Sequence, residues 1–334
     1  MAVNRLRIHA PGLLATVQDA GRCGWSHLGV PVGGAMDRDA LVIANALVGN
    51  AAGAAAVEIT LFGPVIEFAR PTLVALAGAE FVGFPANRPV LVPPQTRIAI
   101  GRARRGARAV LAVAGGIAVA PVLASRSTCL AGRFGGHEGR VLRAGDELPL
   151  APDCEALSRE RFARLRGVRE CAQGMRTVAW SASLPPLAPG GPLAVRALPG
   201  RHLDLFEEEA QEAFYTAQWE LSAHSDRMGY RLAGPRLLLR AGTAELNSEP
   251  VCLGTVQVPP GGAPILLMAD HQTTGGYARI GEVASADLPR LAQLAPGERL
   301  RFVRTGLEEA RRLAAERAAR LRRLTAAIAG RYGR

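Results

Sequence analysis

The chain has 334 residues, is 49% apolar and carries a formal net charge of +11, and all 40 of its basic residues are arginine because lysine is absent. The lack of lysine excludes a Schiff base, a Walker-A phosphate site and biotin carried through a lysine amide on this chain. A bound phosphate or carboxylate would therefore be held by arginine, by backbone N–H groups or by a metal.

The cysteines and the apolar runs indicate where the protein resides. Five scattered cysteines without a C-x-x-C spacing are typical of free thiols in a reducing cytoplasm, and they predict neither a disulfide framework nor a zinc site. No apolar run reaches the roughly 18 residues of a membrane span, and the N-terminus lacks the apolar region of a signal peptide. We therefore expect a cytoplasmic protein without a metal centre.

Most of the first 150 residues have the alternating and β-branched patterns of strands. One helix is also predicted here, with Asp37 as its N-cap and Gly49 just beyond its end. The predicted strands and the hairpin cover residues 6–17, 57–62, 65–68, 72–76, 81–100 and 109–114. Residues 1–150 are therefore predicted to form a β-rich domain.

The pattern changes after residue 150. Residues 153–170 have the polar composition of a surface helix, and residues 183–192 are a linker rich in proline and glycine, so 151–192 is predicted as a helix and linker. Strand patterns resume at 193 and continue to 305. A helix is predicted over 205–215, where Glu207, Glu208 and Glu209 favour the first turn.

Residues 306–334 are predicted to form an arginine-rich C-terminal helix. Residues 301–334 hold ten arginines against three glutamates, a composition that could bind nucleic acid. A stripe of Leu307, Leu313, Leu321, Leu324 and Ile328 favours docking on the body of the protein instead. No nucleic-acid or membrane partner is expected.

An internal echo suggests two similar halves. Gly115-Gly116 and Gly275-Gly276 lie 160 residues apart, and each pair precedes a serine, Ser125 or Ser285, by the same interval. Each half then ends alike, with residues 143–148 (RAGDEL) matching 295–300 (APGERL). Two matches in the same order favour a duplication, and hence two related β-rich barrels.

Three polar clusters could carry chemistry. The first spans residues 16–37, where a glycine-rich loop enters a helix; Asp37 at the cap would compete with a bound anion for the N–H groups. The second spans residues 222–232, and the third spans 245–277, where a buried strand opens onto Asp, His, Gln, Thr and Thr. Amide and hydroxyl groups are suited to a planar amide such as a lactam or urea.

These clusters also resemble a known family. The stretches TVQD at 16–19, SDRMGYRL at 225–232 and QTTGGY at 272–277 are similar to the allophanate hydrolase subunit 2 family, the biotin-dependent carboxyltransferase domain also found in urea carboxylase. The resemblance covers roughly residues 6–305. It implies a mainly β chain with two tandem cyclophilin-like β-barrels and a partner chain of the subunit 1 family.

The function that the resemblance implies is that of the C subunit of a 5-oxoprolinase, in a complex that opens 5-oxoproline to glutamate with ATP and is inactive without its partners. The partners would be a subunit 1-family protein, similar to the B subunit of 5-oxoprolinase, and a lactam-utilisation protein, similar to the A subunit. ATP would bind with or on a partner. One alternative is the carboxyltransferase component of a biotin-dependent urea or amide carboxylase, with no biotin attached to this chain. Another is a non-catalytic partner of a histidine-kinase inhibitor.

The candidate site residues come from the three clusters. The candidate catalytic residues are Asp226, Arg227, Asp270 and Gln272. The candidate substrate-binding residues are Gln18, Asp19, Arg22, Asp37, Ser125, Arg126, Tyr230, Gln257, Thr273, Thr274 and Tyr277.

Overall fold

A computed structural model describes residues 4–182 and 191–332, which fall into two compact units. The first unit comprises Met1–Arg22, Gly33–Pro185 and Arg320–Arg334, and the second comprises Cys23–Val32 and Pro186–Ala319. The linker predicted over 183–192 lies largely outside the described residues.

The first unit contains two sheets. Its strands are β1 (Arg5–Ala10), β2 (Leu14–Gln18), β3 (Ala56–Thr60), β4 (Val65–Phe68), β5 (Thr72–Phe81), β6 (Pro89–Val92), β7 (Ile98–Ala99), β8 (Ala103–Val113), β9 (Glu147–Pro149), β10 (Val168–Glu170) and β11 (Arg176–Val178). Four form a sheet in the order β7-β4-β1-β9, and seven form a second sheet in the order β10-β11-β6-β5-β8-β3-β2.

The first core lies between these sheets because alternate side chains of a strand point to opposite faces. In β1, Leu6 and Ile8 are fully buried while Arg5 and Arg7 are exposed. Leu6 and Ile8 share one apolar cluster with Val57 and Leu111 of the larger sheet. The two sheets therefore pack face to face around it.

A second core covers the other face of the seven-stranded sheet. Helices α1 (Arg38–Leu47) and α2 (Cys154–Ala163) belong to the first unit. The Asp37 carboxylate caps α1 by accepting the Ala40 N–H at 2.9 Å, and Gly49 follows with φ of 72°, as the sequence predicts. Ile328, near the end of the C-terminal helix α5 (Leu307–Gly330), is buried in this same core.

The second unit is built around a closed barrel. Its strands are β12 (Leu193–Pro199), β13 (Trp219–Leu221), β14 (Gly229–Ala233), β15 (Glu249–Pro250), β16 (Thr255–Val258), β17 (Ile265–Leu267), β18 (Thr274–Gly275), β19 (Ala278–Val283) and β20 (Arg299–Arg304). Seven close in the order β12-β19-β16-β17-β14-β13-β20, while β15 and β18 form a separate ribbon. Helices α3 (Glu208–Thr216) and α4 (Leu288–Leu291) complete the unit. The prediction of a mainly β chain with a C-terminal helix is confirmed.

The structure differs from the prediction in residues 151–192. The helix predicted over 153–170 ends at Ala163, since Gly167 takes a φ of 68°, which an α-helix does not allow. Residues 168–170 form β10 instead, and β11 joins it to β6 of the seven-stranded sheet. The segment is therefore part of the first unit as far as Ala182, rather than a surface helix and linker.

The structure supports one of the two internal sequence matches as a structural repeat but not the other. Gly115 and Gly116 both adopt positive φ in a turn, whereas Gly275 lies in strand β18, so the Gly-Gly pairs are not structurally equivalent. The second match is a real repeat of local structure. In each copy the glycine has positive φ, and the next carboxylate accepts the N–H three residues earlier: Asp146 from Arg143 at 2.7 Å, and Glu298 from Ala295 at 2.8 Å.

No helix within residues 4–182 or 191–332 combines the length and the apolar character that crossing a membrane requires.

Candidate functional site

In the first unit, Asp19 is the centre of a dense hydrogen-bond cluster. Its carboxylate accepts the hydroxyls of Ser125 and Ser127, each at 2.6 Å, and the backbone N–H groups of Gly21 and Arg126 at 2.8 and 2.5 Å. Burial alone would raise the pKa of Asp19, but these bonds outweigh it, and the net pKa lies below the ordinary value. The structure therefore brings Asp19, Ser125 and the Arg126 backbone together as a clamp between two loops.

Gln18 and Arg22 flank this clamp and are both buried. The Gln18 amide donates to the Thr16 hydroxyl at 3.1 Å and to the Thr128 carbonyl at 3.3 Å. The Arg22 guanidinium donates to the Ser127 carbonyl and lies 4.8 Å from the centre of the Phe134 ring. Both side chains hold the loop that contains Ser127, so their visible role is to position it.

The Asp37 and Arg126 side chains make hydrogen bonds outside the Asp19 cluster. Asp37 caps α1, and its carboxylate therefore already occupies the N-terminus that the sequence offered as an anion site. The Arg126 side chain is exposed and donates its Nε–H to the Val119 carbonyl at 2.8 Å. Each of these side chains therefore makes a structural contact within its own loop or helix end.

In the second unit, Arg227 and Asp270 form a buried ion pair. The guanidinium Nε and Nη2 donate to the two carboxylate oxygens at 2.8 and 2.9 Å, and the side chains are only 3% and 6% exposed. The Asp270 backbone N–H also donates to the Arg227 carbonyl at 2.8 Å. The pair joins a residue just before β14 to a residue just after β17, at one end of the barrel.

The segment that follows Asp270 contributes one member, Gln272, to a pair of hydrogen-bonded amides. The Gln272 amide N–H donates to the Gln257 carbonyl oxygen at 3.1 Å, and Gln257 is buried on β16. A Cβ on Gly275 would come within 2.4 Å of the Gln257 Nε2, so glycine lets the backbone close over this amide. His271 fixes the segment further, because its ring Nδ1 lies 2.6 Å from the Gln272 carbonyl, and burial lowers its pKa.

The neighbouring candidates differ in exposure. Thr273 is half-buried, and Thr274 and Tyr277 are exposed on the same segment as Gln272, so this stretch presents two hydroxyls and a phenol ring. Asp226 shapes the turn before β14, since its carboxylate accepts the N–H groups of Met228 and Gly229 at 2.8 and 3.1 Å. Among the candidates, the structure brings Arg227 into contact with Asp270, and Gln257 into contact with Gln272.

Tyr230 departs from the substrate-binding prediction. It has no exposed surface, and Leu232, on the same face of β14, is also buried, while Arg231 between them is exposed. The ring is therefore in the interior of the second unit, where a ligand does not reach it in this conformation.

Sequence reasoning missed a second polar cluster beside the amide pair. Glu282 on β19 accepts the Thr255 hydroxyl at 2.7 Å, and its carboxyl lies 3.7 Å from the Cys252 thiol. Burial raises the pKa of Glu282 above its ordinary value, with Thr255 and Arg279 opposing the rise. No local motif marks Glu282; only the β16–β19 register, which pairs Thr255 with Glu282, brings it there.

Ser127 was also missing from the candidate residues, although its spacing of two from Ser125 was a usable signal. Among the described residues, no group of three or more His, Cys, Asp or Glu side chains is arranged to hold a metal ion.

Comparison with known proteins assigns the chain to a family. The family model for the carboxyltransferase domain, subdomain A and B, matches residues 28–304. The chain belongs to this carboxyltransferase-domain family. The membership covers the barrel of the second unit and the Arg227–Asp270 and Gln257–Gln272 pairs.

Full-length relatives and a solved structure agree with this membership. The chain is 41% identical to the C subunit of the Escherichia coli 5-oxoprolinase over 311 residues, which are 91% of this chain and 93% of that protein. It is 36% identical to the same-named protein of Haemophilus influenzae, over 90% and 91% of the two chains. The urea carboxylase of Kluyveromyces lactis is 29% identical with a TM-score of 0.84, covering 96% of this chain and 29% of that one.

Proposed function

We propose that this chain is the C subunit of an ATP-dependent 5-oxoprolinase, which opens 5-oxoproline to glutamate. It would act together with a B-like subunit, which belongs to the subunit 1 family, and an A-like subunit, which is a lactam-utilisation protein. The observation that carries the proposal is the match to the C subunits of two 5-oxoprolinases over at least nine tenths of both lengths. The urea carboxylase match has a lower sequence identity, 29% against 41% for the Escherichia coli 5-oxoprolinase subunit.

The exposed part of the Gln272 segment has the chemistry that a lactam requires. A lactam offers one N–H donor and one carbonyl acceptor in a plane, and a glutamine amide offers the complementary acceptor and donor. The Gln272 side chain gives one N–H to Gln257, and within the described residues its side-chain oxygen Oε1 accepts no hydrogen bond. We assign the lactam contact to Gln272 with Thr273, Thr274 and Tyr277, and a positioning role to Arg227, Asp270 and Gln257.

ATP is assigned to the partner chains. The helix N-terminus at α1, where the sequence offers a glycine-rich loop, does not fit a phosphate, because the Asp37 carboxylate occupies it and would repel the anion. Without lysine, the chain also lacks the residue that a Walker-A loop supplies. The chain without its partners is therefore proposed to be inactive.

The experiment that tests this proposal is reconstitution. The purified chain, its B-like partner and its A-like partner are mixed with 5-oxoproline and ATP, and glutamate is measured by amino-acid analysis. Release of glutamate that requires ATP and all three proteins supports the proposal. A mixture of folded, correctly assembled proteins that releases none rejects it.

A second candidate function is the carboxyltransferase component of a urea or amide carboxylase, which the TM-score of 0.84 to urea carboxylase favours. Urea is also a planar amide, so the Gln272 segment suits it as well. This role predicts turnover that depends on bicarbonate and on a biotin-carrying partner, and that avidin quenches. Turnover that is indifferent to avidin counts against it.

A further inference from the structure

The second unit has a cavity of about 350 Å³ between helix α3 and the end of strand β20. None of its lining residues belongs to the segments around Asp226, Asp270 or Gln272 described above. The volume falls within the lower part of the range for small-molecule sites, so the cavity has room for a small ligand. The lining residues are Leu203, Gln211, Glu212, Tyr215, Thr216 and Arg304.

The packing of α3 against β20 fixes one wall of this cavity. Phe214 of α3 is fully buried and stacks on Phe302 of β20, with the ring centres 4.4 Å apart. Arg304 lies two residues after Phe302, and alternate residues of a strand share a face. Tyr215 is the next residue of the helix, and the Arg304 guanidinium lies 5.7 Å from the centre of its ring. The stacked rings thus hold Tyr215 and Arg304 side by side.

The charged groups of the cavity do not neutralise one another. Arg304 and Glu212 both line it, yet neither forms an ion pair with any residue that the structure describes. Both side chains are also exposed, so a ligand can reach them. Two opposite charges that line one cavity and stay apart are complementary to a ligand that carries both charges.

The Tyr215 hydroxyl is a second, independent feature. Its oxygen is buried and has no hydrogen-bond partner among the described residues. Burial also raises the pKa of Tyr215, against the opposing effect of Arg304, so the phenol keeps its proton and remains a donor. A buried hydroxyl without a partner costs free energy, and a carboxylate attracted by Arg304 would supply the missing acceptor.

Helix α3 offers hydrogen-bond acceptors to the same cavity. Gln211 and Glu212 lie one helical turn before Tyr215 and share a face with it. The Gln211 amide donates to the Phe206 carbonyl at 3.0 Å, and within the described residues its side-chain oxygen accepts no hydrogen bond. An ammonium group has three N–H donors, which the Glu212 carboxylate and the Gln211 oxygen can accept.

We infer that this cavity binds a free α-amino acid, with its carboxylate on Arg304 and the Tyr215 hydroxyl and its ammonium on Glu212. A simple anion would approach the Glu212 carboxylate, and a simple cation would approach the Arg304 guanidinium, so each would meet a like charge. A zwitterion satisfies both groups at once.

The proposed function supplies the probe. Its product, glutamate, carries an ammonium beside a carboxylate, whereas the nitrogen of 5-oxoproline is an uncharged lactam. The cavity would therefore distinguish the product from the substrate. Only the choice of glutamate rests on the proposed function, because the amino-acid chemistry follows from the side chains that line the cavity.

Calorimetric titration of the purified chain with L-glutamate tests the inference. L-Glutamine varies the ligand side chain, while glutarate and 5-oxoproline lack the ammonium. Arg304→Gln, Glu212→Gln and Tyr215→Phe each remove one proposed contact. Arg301→Gln and Glu209→Gln, at exposed positions outside the cavity, are the controls. Melting temperatures confirm that each variant folds, and Tyr215→Phe, which removes a single oxygen, keeps the test available if another variant does not fold.

L-Glutamate and L-glutamine should both bind the wild-type chain. Arg304→Gln and Glu212→Gln should each weaken the Kd at least about tenfold, the effect of losing a hydrogen bond to a charged group. Tyr215→Phe should weaken it about fivefold. Glutarate and 5-oxoproline should bind at least about tenfold more weakly than L-glutamate. The two control variants should match wild type.

Three results would overturn the inference: no binding of either amino acid at up to about 10 mM, cavity variants that bind as tightly as wild type, or glutarate that binds as tightly as L-glutamate. None of them bears on the proposed function, which glutamate release by the reconstituted mixture tests separately. A mixture that releases no glutamate, together with amino-acid binding that the cavity variants weaken, would reject the proposed function and support this site.

Discussion

Arg227 and Asp270 form two parallel hydrogen bonds, of 2.8 and 2.9 Å, between side chains that water scarcely reaches. Asp270 lies two residues before Gln272, so the pair fixes the origin of the segment proposed to contact substrate. Because each charge satisfies the other, the pair acts as a clamp on the start of this segment.

Breaking this clamp should destabilise the second unit strongly. Asp270→Ala removes the carboxylate that faces the buried Arg227 charge, and we expect a loss of about 3–5 kcal/mol in the free energy of unfolding. The exposed pair Arg299–Glu220 provides the control, with Glu220→Ala costing about 1 kcal/mol or less. Urea unfolding at pH 7, followed by tryptophan fluorescence, measures both; equal costs would contradict a buried clamp.

The amide pair should control turnover rather than folding. Gln272→Ala should lower kcat/KM of the reconstituted 5-oxoprolinase by about 100-fold, the typical effect of removing one hydrogen-bonding group at a reacting carbonyl. Gly275→Ala should also lower it, because the added methyl would displace the Gln257 amide. Gly261→Ala, which meets nothing within 4 Å, is the control. Unchanged kinetics in Gln272→Ala would remove Gln272 from the site.

The Asp19 cluster should make the first unit sensitive to acid. Since the net pKa of Asp19 is lower in the folded state, its hydrogen bonds stabilise the protein above the unfolded pKa of about 4, and this contribution is lost as the pH falls through the folded value. Asp19→Asn should therefore cost much more stability at pH 7 than at pH 3. Urea unfolding of wild type and variant at the two pH values tests this prediction, and Asp204→Asn, at an exposed position, is the control. A loss of stability from Asp19→Asn that is larger at pH 3 than at pH 7 would contradict it.

The end of helix α5 should stabilise the first unit. Ile328 is 3% exposed in the core formed with α1, and the Tyr332 hydroxyl donates to the Leu47 carbonyl. Ile328→Ala should cost about 2–4 kcal/mol, whereas the exposed Arg322→Ala should change stability by about 0.5 kcal/mol or less. Thermal and urea unfolding measure both; a neutral Ile328→Ala would mean that this end of the helix does not stabilise the core.

Local chemistry explains which elements the sequence predicted well. Helix α1 was predicted with its cap because Asp37 and Gly49 act within a few residues of the helix they bound. Strands β10 and β11 were missed, since Val168–Glu170 is short and mostly polar and gains its place only by pairing with β11, which in turn pairs with β6. A non-local pairing of this kind leaves no periodic signal.

The same distinction applies to the candidate site. The motifs indicated Asp19, Ser125, Arg227, Asp270, Gln257 and Gln272, and the structure places each in contact with at least one other of these residues. It also shows that Tyr230 is an interior residue, a fact that depends on burial rather than on residue type. The place of Glu282 beside Thr255 depends on strand register, which sequence patterns do not reveal.

The most direct test of the central claim is glutamate release from 5-oxoproline and ATP by this chain mixed with its B-like and A-like partners, with and without avidin. We predict release that requires all three proteins and that avidin leaves unchanged. Failure of the complete, folded mixture to release glutamate, or release that avidin abolishes, would contradict it.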